Sequence, residues 1–86
     1  MITIEDVPKT IEEARDFGNI RFHEWNEEIR MVIVEIVNSG RQINPHEHPR
    51  RDPLGIKAMS LVKDDGRSFS AIMKIASKLG AKIRNY

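Results

Sequence analysis

Cysteine is missing from this 86-residue chain, which excludes a disulfide framework, a thiolate zinc site and a thiol nucleophile together. A cysteine-free chain fits a reducing compartment, and a cytoplasmic location is expected. Aromatic residues are scarce as well: three Phe, one Trp and one Tyr leave little material for a base-stacking platform. No stretch approaches the roughly 18 apolar residues that a transmembrane helix requires. The start, MITIEDV, lacks the basic region and apolar run of a secretory signal, so no membrane partner is expected. Catalytic motifs are missing too. No Ser/His/Asp arrangement has a defensible spacing, and Asp64-Asp65-Gly66-Arg67 lacks the glycines and lysine of a P-loop while its carboxylates repel phosphate. The carboxylate pairs Glu12-Glu13 and Glu27-Glu28 fall on segments of exposed character. We therefore expect a protein that is not an enzyme, folded as one small domain over residues 1–86 and too short for a cleft between two lobes.

What the chain does carry is charge sorted by position. Residues 1–40 hold four basic side chains (Lys9, Arg15, Arg21, Arg30) against nine acidic ones (Glu5, Asp6, Glu12, Glu13, Asp16, Glu24, Glu27, Glu28, Glu35), a balance of −5. Residues 41–86 hold ten basic (Arg41, Arg50, Arg51, Lys57, Lys63, Arg67, Lys74, Lys78, Lys82, Arg84) against four acidic (Glu47, Asp52, Asp64, Asp65), a balance of +6. The net +1 conceals this split, and a basic half on a near-neutral chain points to an acidic partner. With 40% hydrophobic and 31% charged residues the composition is that of a globular domain rather than a disordered one.

The five glycines, at 18, 40, 55, 66 and 80, punctuate the periodic segments. Residues 2–5 have strand character. Thr10-Ile-Glu-Glu13 forms a capping box that opens a short helix running to Phe17. Residues 19–25 alternate, and residues 29–37 (IRMVIVEIV) are ambiguous. Ile29, Val32, Ile33 and Ile36 would share a helical face, but six of the nine residues are β-branched. We expect these two segments to pair as a hairpin across Asn26-Glu27-Glu28. A Pro-rich loop over 41–55, with Pro45, Pro49 and Pro53, follows. Residues 56–62 read as a strand. Ser68 is the expected N-cap of a final helix whose buried face is Phe69, Ile72, Met73, Ala76 and Leu79. Gly80 ends that helix before a short strand at 81–86. The expected fold class is α+β, a small, mostly antiparallel sheet with two short helices in the order β-α-β-β-loop-β-α-β.

Two constellations have chemical potential. His46-Glu47-His48 would set two imidazoles on one side of an extended segment, with Asp52 close in sequence, His23 far from it and no third ligand assigned. A catalytic zinc needs three protein ligands, and we read the tract as a solvated polar loop, with no cofactor expected. Arg50-Arg51, flanked by Arg41 and Lys57, is the better candidate, because guanidinium groups suit bidentate contact with phosphate. On the final helix Lys74 and Lys78 share a polar face with Ser70 and Ser77, donors of the kind that phosphate contact uses. Their competing role is to offset the dipole at the helix C-terminus. Trp25, Phe22 and Tyr86 offer stacking surfaces, although Phe22 and Trp25 fit core or edge packing better.

Lys57-Ala58-Met59-Ser60 and residues 66–83, GRSFSAIMKIASKLGAKI, are similar to the end of addiction-module antidotes of the helix-turn-helix type. In that family a recognition helix is followed by an apolar-rich helix, a Leu-Gly end and a short strand. The similarity covers about a quarter of the chain. Where the family has its scanning helix and turn, this chain has Pro45, Pro49 and Pro53. The function expected from the residues is a small binding or regulatory protein whose basic half contacts nucleic acid through Arg41, Arg50, Arg51, Lys57, Lys74 and Lys78. The alternative is a protein-interaction module, such as an antitoxin or a mobile-element-encoded inhibitor of a host complex, facing an acidic protein surface.

Overall fold

The computed structural model describes residues 1–17, 25–43 and 52–84. Among them lie four helices, α1 (Ile11–Arg15), α2 (Glu27–Asn38), α3 (Pro53–Leu61) and α4 (Gly66–Lys78). Two strands of two residues each, β1 (Gln42–Ile43) and β2 (Lys82–Ile83), pair in parallel with Gln42 opposite Lys82 and Ile43 opposite Ile83. The fold is mixed α and β but mostly helical, and the expected antiparallel sheet is replaced by this minimal parallel pair.

Residues 29–37, expected as the second strand of a hairpin, form most of α2. Asn26 caps the helix by accepting from the Ile29 amide at 3.0 Å, and Glu27 and Glu28 occupy the first turn, where negative charge suits the dipole. Ile29, Val32, Ile33 and Ile36 are all buried, so the helical face outweighs the β-branched composition. Tertiary burial overrides a propensity worth only tenths of a kcal/mol per residue.

Residues 56–62, also expected as a strand, lie in α3 and its cap. Asp52 is the N-cap, accepting from the Leu54 amide at 2.8 Å, and Pro53 takes the first helical position, where its missing amide costs nothing. The third proline of the loop is therefore a helix start. The expected strand at 2–5 is instead a 3-10 turn at Ile4–Asp6, closed by a capping box between Thr3 and Asp6. Thr10 does cap α1, at 3.2 Å from the Glu13 amide, but the Glu13 carboxylate accepts from the Lys9 amide at 3.1 Å rather than from Thr10. The Gly18 stop and most of the first hairpin strand lie outside the described residues.

α4 starts earlier than its apolar pattern implies. Asp65, not Ser68, is the N-cap. Its Oδ1 accepts from the Arg67 amide at 3.2 Å, and its Oδ2 accepts from the buried Ser68 hydroxyl at 2.8 Å. Gly80 ends the helix as expected, with φ +112°. The Gly80 amide donates to Ser77 O at 3.1 Å and the Ala81 amide to Ala76 O at 2.9 Å, a Schellman closure. α3 closes in the same manner without glycine: Lys63 and Asp64 adopt φ 53° and 62°, and their amides reach Ser60 O and Met59 O, each at 3.0 Å.

The core runs between α2 and α4, where Ile29, Val32, Ile33 and Ile36 meet Ile72, Met73, Ile75 and Ala76. The N-terminal segment crosses α2 and is fastened by side chains. Asn38 exchanges two 2.9 Å bonds with the Ile2 main chain, the Arg30 guanidinium donates to Ile4 O at 2.7 Å, and the Trp25 indole donates to Pro8 O at 2.7 Å. Trp25 thus serves packing and anchoring.

Candidate nucleic-acid interface

α4 carries no acidic residue, and its outward positions are Arg67, Ser70, Lys74, Ser77 and Lys78. At about 100° per residue, Arg67, Lys74 and Lys78 fall within an arc of about 40°, a single stripe. At about 1.5 Å rise per residue the stripe is about 16 Å long. All three side chains are exposed, and none forms an ion pair with another described residue. The half-buried Ser70 and Ser77 lie along one side of the stripe. Lys82 and Arg84 are also exposed, on and just after β2, which contacts α4.

The shift of the N-cap from Ser68 to Asp65 is what brings Arg67 into this set. With Ser68 as cap, Arg67 lies outside the helix. With Asp65 as cap it is the second helical residue, in register with Lys74. The clue in the sequence is Asp65 itself, three residues before a hydroxyl that its carboxylate can hold.

Two of the expected contact residues are engaged elsewhere. The Arg41 guanidinium lies 3.3 Å from Asp52 Oδ1, the carboxylate that caps α3. Lys57 Nζ lies 3.2 Å from Glu35 Oε2 and ties α3 to α2. Both cations are about half exposed and locally balanced, so neither adds net positive charge where it sits. Lys74 and Lys78 stand together on α4 as expected. Arg50, Arg51, His46 and His48 lie outside the described residues.

Among the described residues no group of three or more His, Asp or Glu side chains is arranged to hold a metal, and all three histidines fall outside them. No helix among the described residues is long and apolar enough to cross a membrane. Against known protein families, curated proteins and solved structures, the chain has no match.

Proposed function

We propose that this protein is a small, non-enzymatic binding protein of regulatory type that contacts the phosphate backbone of nucleic acid through α4. The observation that carries this is the Arg67–Lys74–Lys78 stripe: three exposed cations in line, on a helix with no acidic residue. The opposite face of α4 is buried in the core, from Ser68 to Ala76, so the stripe is presented on a well-anchored helix. Charge alone on a solvated helix face is common. Its alignment in one arc with no ion pair to a described residue, in contrast to the paired Arg41 and Lys57, is what favours phosphate.

The stripe is equipped for backbone contact and poorly equipped to read bases. It has no Asn or Gln, and Phe69, the aromatic residue of α4, is 4% exposed and faces the core. Contacts to phosphate set position and carry no sequence information by themselves. Two mixed-sequence duplexes of equal length and unrelated sequence should therefore bind equally in fluorescence anisotropy at low salt. Absence of binding to both would remove this function, and a strong preference for one would show that base readout lies elsewhere in the chain.

A second proposal, an antidote-like partner of a protein, has one observation in its favour. The succession α3, a four-residue turn, α4, Leu79-Gly80 and a short strand follows the order implied by the resemblance to addiction-module antidotes. A pull-down from lysate beside the anisotropy measurement separates the two.

A further inference from the structure

We propose that α4 meets nucleic acid from outside, along the sugar-phosphate backbone of one strand, and enters no groove, so that a single strand is a sufficient ligand. This rests on the phosphate contact proposed above and names the form of nucleic acid that the stripe takes.

The first observation is how deeply α4 is set into the molecule. Seven of its 13 residues are buried, and only Gly66, Arg67, Lys74 and Lys78 are exposed. At about 100° per residue, the buried positions run from Ala71 round to Met73 over about 200° of the helix circumference. Ala71, 2% exposed, lies only about 20° further round than Lys78, so the buried face begins at the edge of the stripe. α2, α3 and β2 all contact this helix. A helix that reads duplex DNA has to stand clear of its own domain. The major groove is about 12 Å wide and about 8.5 Å deep, and a helix with its side chains is about 10–12 Å across. Sunk over more than half its girth, α4 does not project that far. What clears its surface is three long, flexible cationic side chains, which reach a phosphate without bringing the helix backbone near the bases.

The second observation is that the cations form one row. A helix lying in a groove has a phosphate backbone on each side and gains from donors on both flanks. Arg67, Lys74 and Lys78 are the cations of α4, and all three fall in an arc of about 40°. On one flank stands buried Ala71, and on the other the half-buried, neutral Ser70 and Ser77. One row serves one strand. At about 3.4 Å of axial rise per phosphate on one strand, the stripe of about 16 Å runs past about five phosphates. The aromatic side chain of α4, Phe69, faces the core, so the helix offers no stacking platform. A strand on this stripe therefore turns its phosphates inward and its bases outward, and pairing of those bases with a second strand adds nothing to the contact.

Fluorescence anisotropy of the full chain with three probes of equal length tests this. One is a mixed-sequence duplex. The second is the same duplex with glucosylated hydroxymethyl groups on its cytosines, which fill the major groove. The third is a single-stranded oligothymidylate, which cannot pair with itself. The plain and filled duplexes should bind with equal affinity. The single strand should bind as well, and the variant carrying Arg67→Ala, Lys74→Ala and Lys78→Ala together should lower its salt slope by about 2.1, three contacts at about 0.7 each. Far-UV circular dichroism checks that this variant keeps its helix content, and the comparison of the three probes on the native protein decides without it. A filled duplex that binds more weakly than the plain one shows α4 in the groove and overturns the proposal. So does a native protein that binds the duplex but not the single strand, or a single-strand slope that the folded triple variant keeps. Each of those results leaves the contact with duplex phosphates standing, whereas binding to none of the three probes removes that contact and this proposal together.

Discussion

α3 and α4 are neighbours in the chain, separated by residues 62–65, and they are built on opposite plans. α4 buries Ser68, Phe69, Ala71, Ile72, Met73, Ile75 and Ala76 along one side and shows an unbalanced row of cations on the other. α3 buries only Gly55 and Ala58, leaves larger apolar side chains half covered, and has its one lysine balanced by α2. The difference separates a helix that carries the core from one at its margin. A deeply anchored helix holds its outward charges in a fixed row, whereas α3 leaves part of its apolar surface in water.

The sharpest way to break this comparison is to truncate one apolar side chain on each helix. Ile72→Ala, at a site 1% exposed, should cost about 2–5 kcal/mol in urea denaturation, from the forfeited transfer energy plus a cavity. Ile56→Ala on α3 should stay within about 0.5 kcal/mol. Equal costs at the two positions would contradict the assignment of α4 to the core and α3 to its margin.

The turn between the helices supplies the next two tests. Asp65→Ala removes the cap of α4 and the acceptor of the buried Ser68 hydroxyl, and should destabilise by about 1–2 kcal/mol. Ser68→Ala should cost less if Asp65 is the cap, and more if the helix begins at Ser68. At the close of α3, Lys63 holds φ 53° where glycine is favoured. Lys63→Gly should raise stability by about 0.5 kcal/mol, the relief of left-handed strain less the added freedom of the unfolded chain.

The same contrast explains what the sequence disclosed. α4 is legible because Phe69, Ile72, Met73 and Ala76 follow the helical period against Ser and Lys, and Gly80 supplies a clear stop. Its start is misplaced by three residues because Ser68, a good cap, is buried as a helix residue. α3 is illegible because only Lys57 and Ser60 break its apolar run, too few to mark a helical period, and because Pro53 looks like a loop residue until its place at the first turn is seen. In α2 the correct helical face is visible but outweighed by β-branched composition, a weak local preference set against burial of four side chains. The pairing of β1 with β2 spans some 40 residues, and two-residue strands leave no local signal. At the candidate interface Lys74 and Lys78 are found by face, while Arg67 is hidden by the misplaced cap. The balancing of Arg41 and Lys57 by Asp52 and Glu35 depends on tertiary structure alone.

Small stability effects are expected at the residues of the proposed phosphate contact as well. Arg67→Ala, Lys74→Ala and Lys78→Ala, singly, should each change stability by no more than about 0.5 kcal/mol, since exposed charges contribute little. Their effect on binding should be larger and should follow salt.

The most direct measurement is the salt dependence of duplex DNA binding by the native protein and by the variant lacking all three stripe cations. Removing one cation that neutralises a phosphate lowers the slope of log affinity against log salt by about 0.9, so the triple variant should have a slope shallower by about 2.7 per chain bound. A control with Arg41→Ala and Lys57→Ala, the two balanced cations, should keep nearly the native slope. A triple variant with the native slope, or a control whose slope falls as far, would show that the α4 stripe is not the phosphate-binding element.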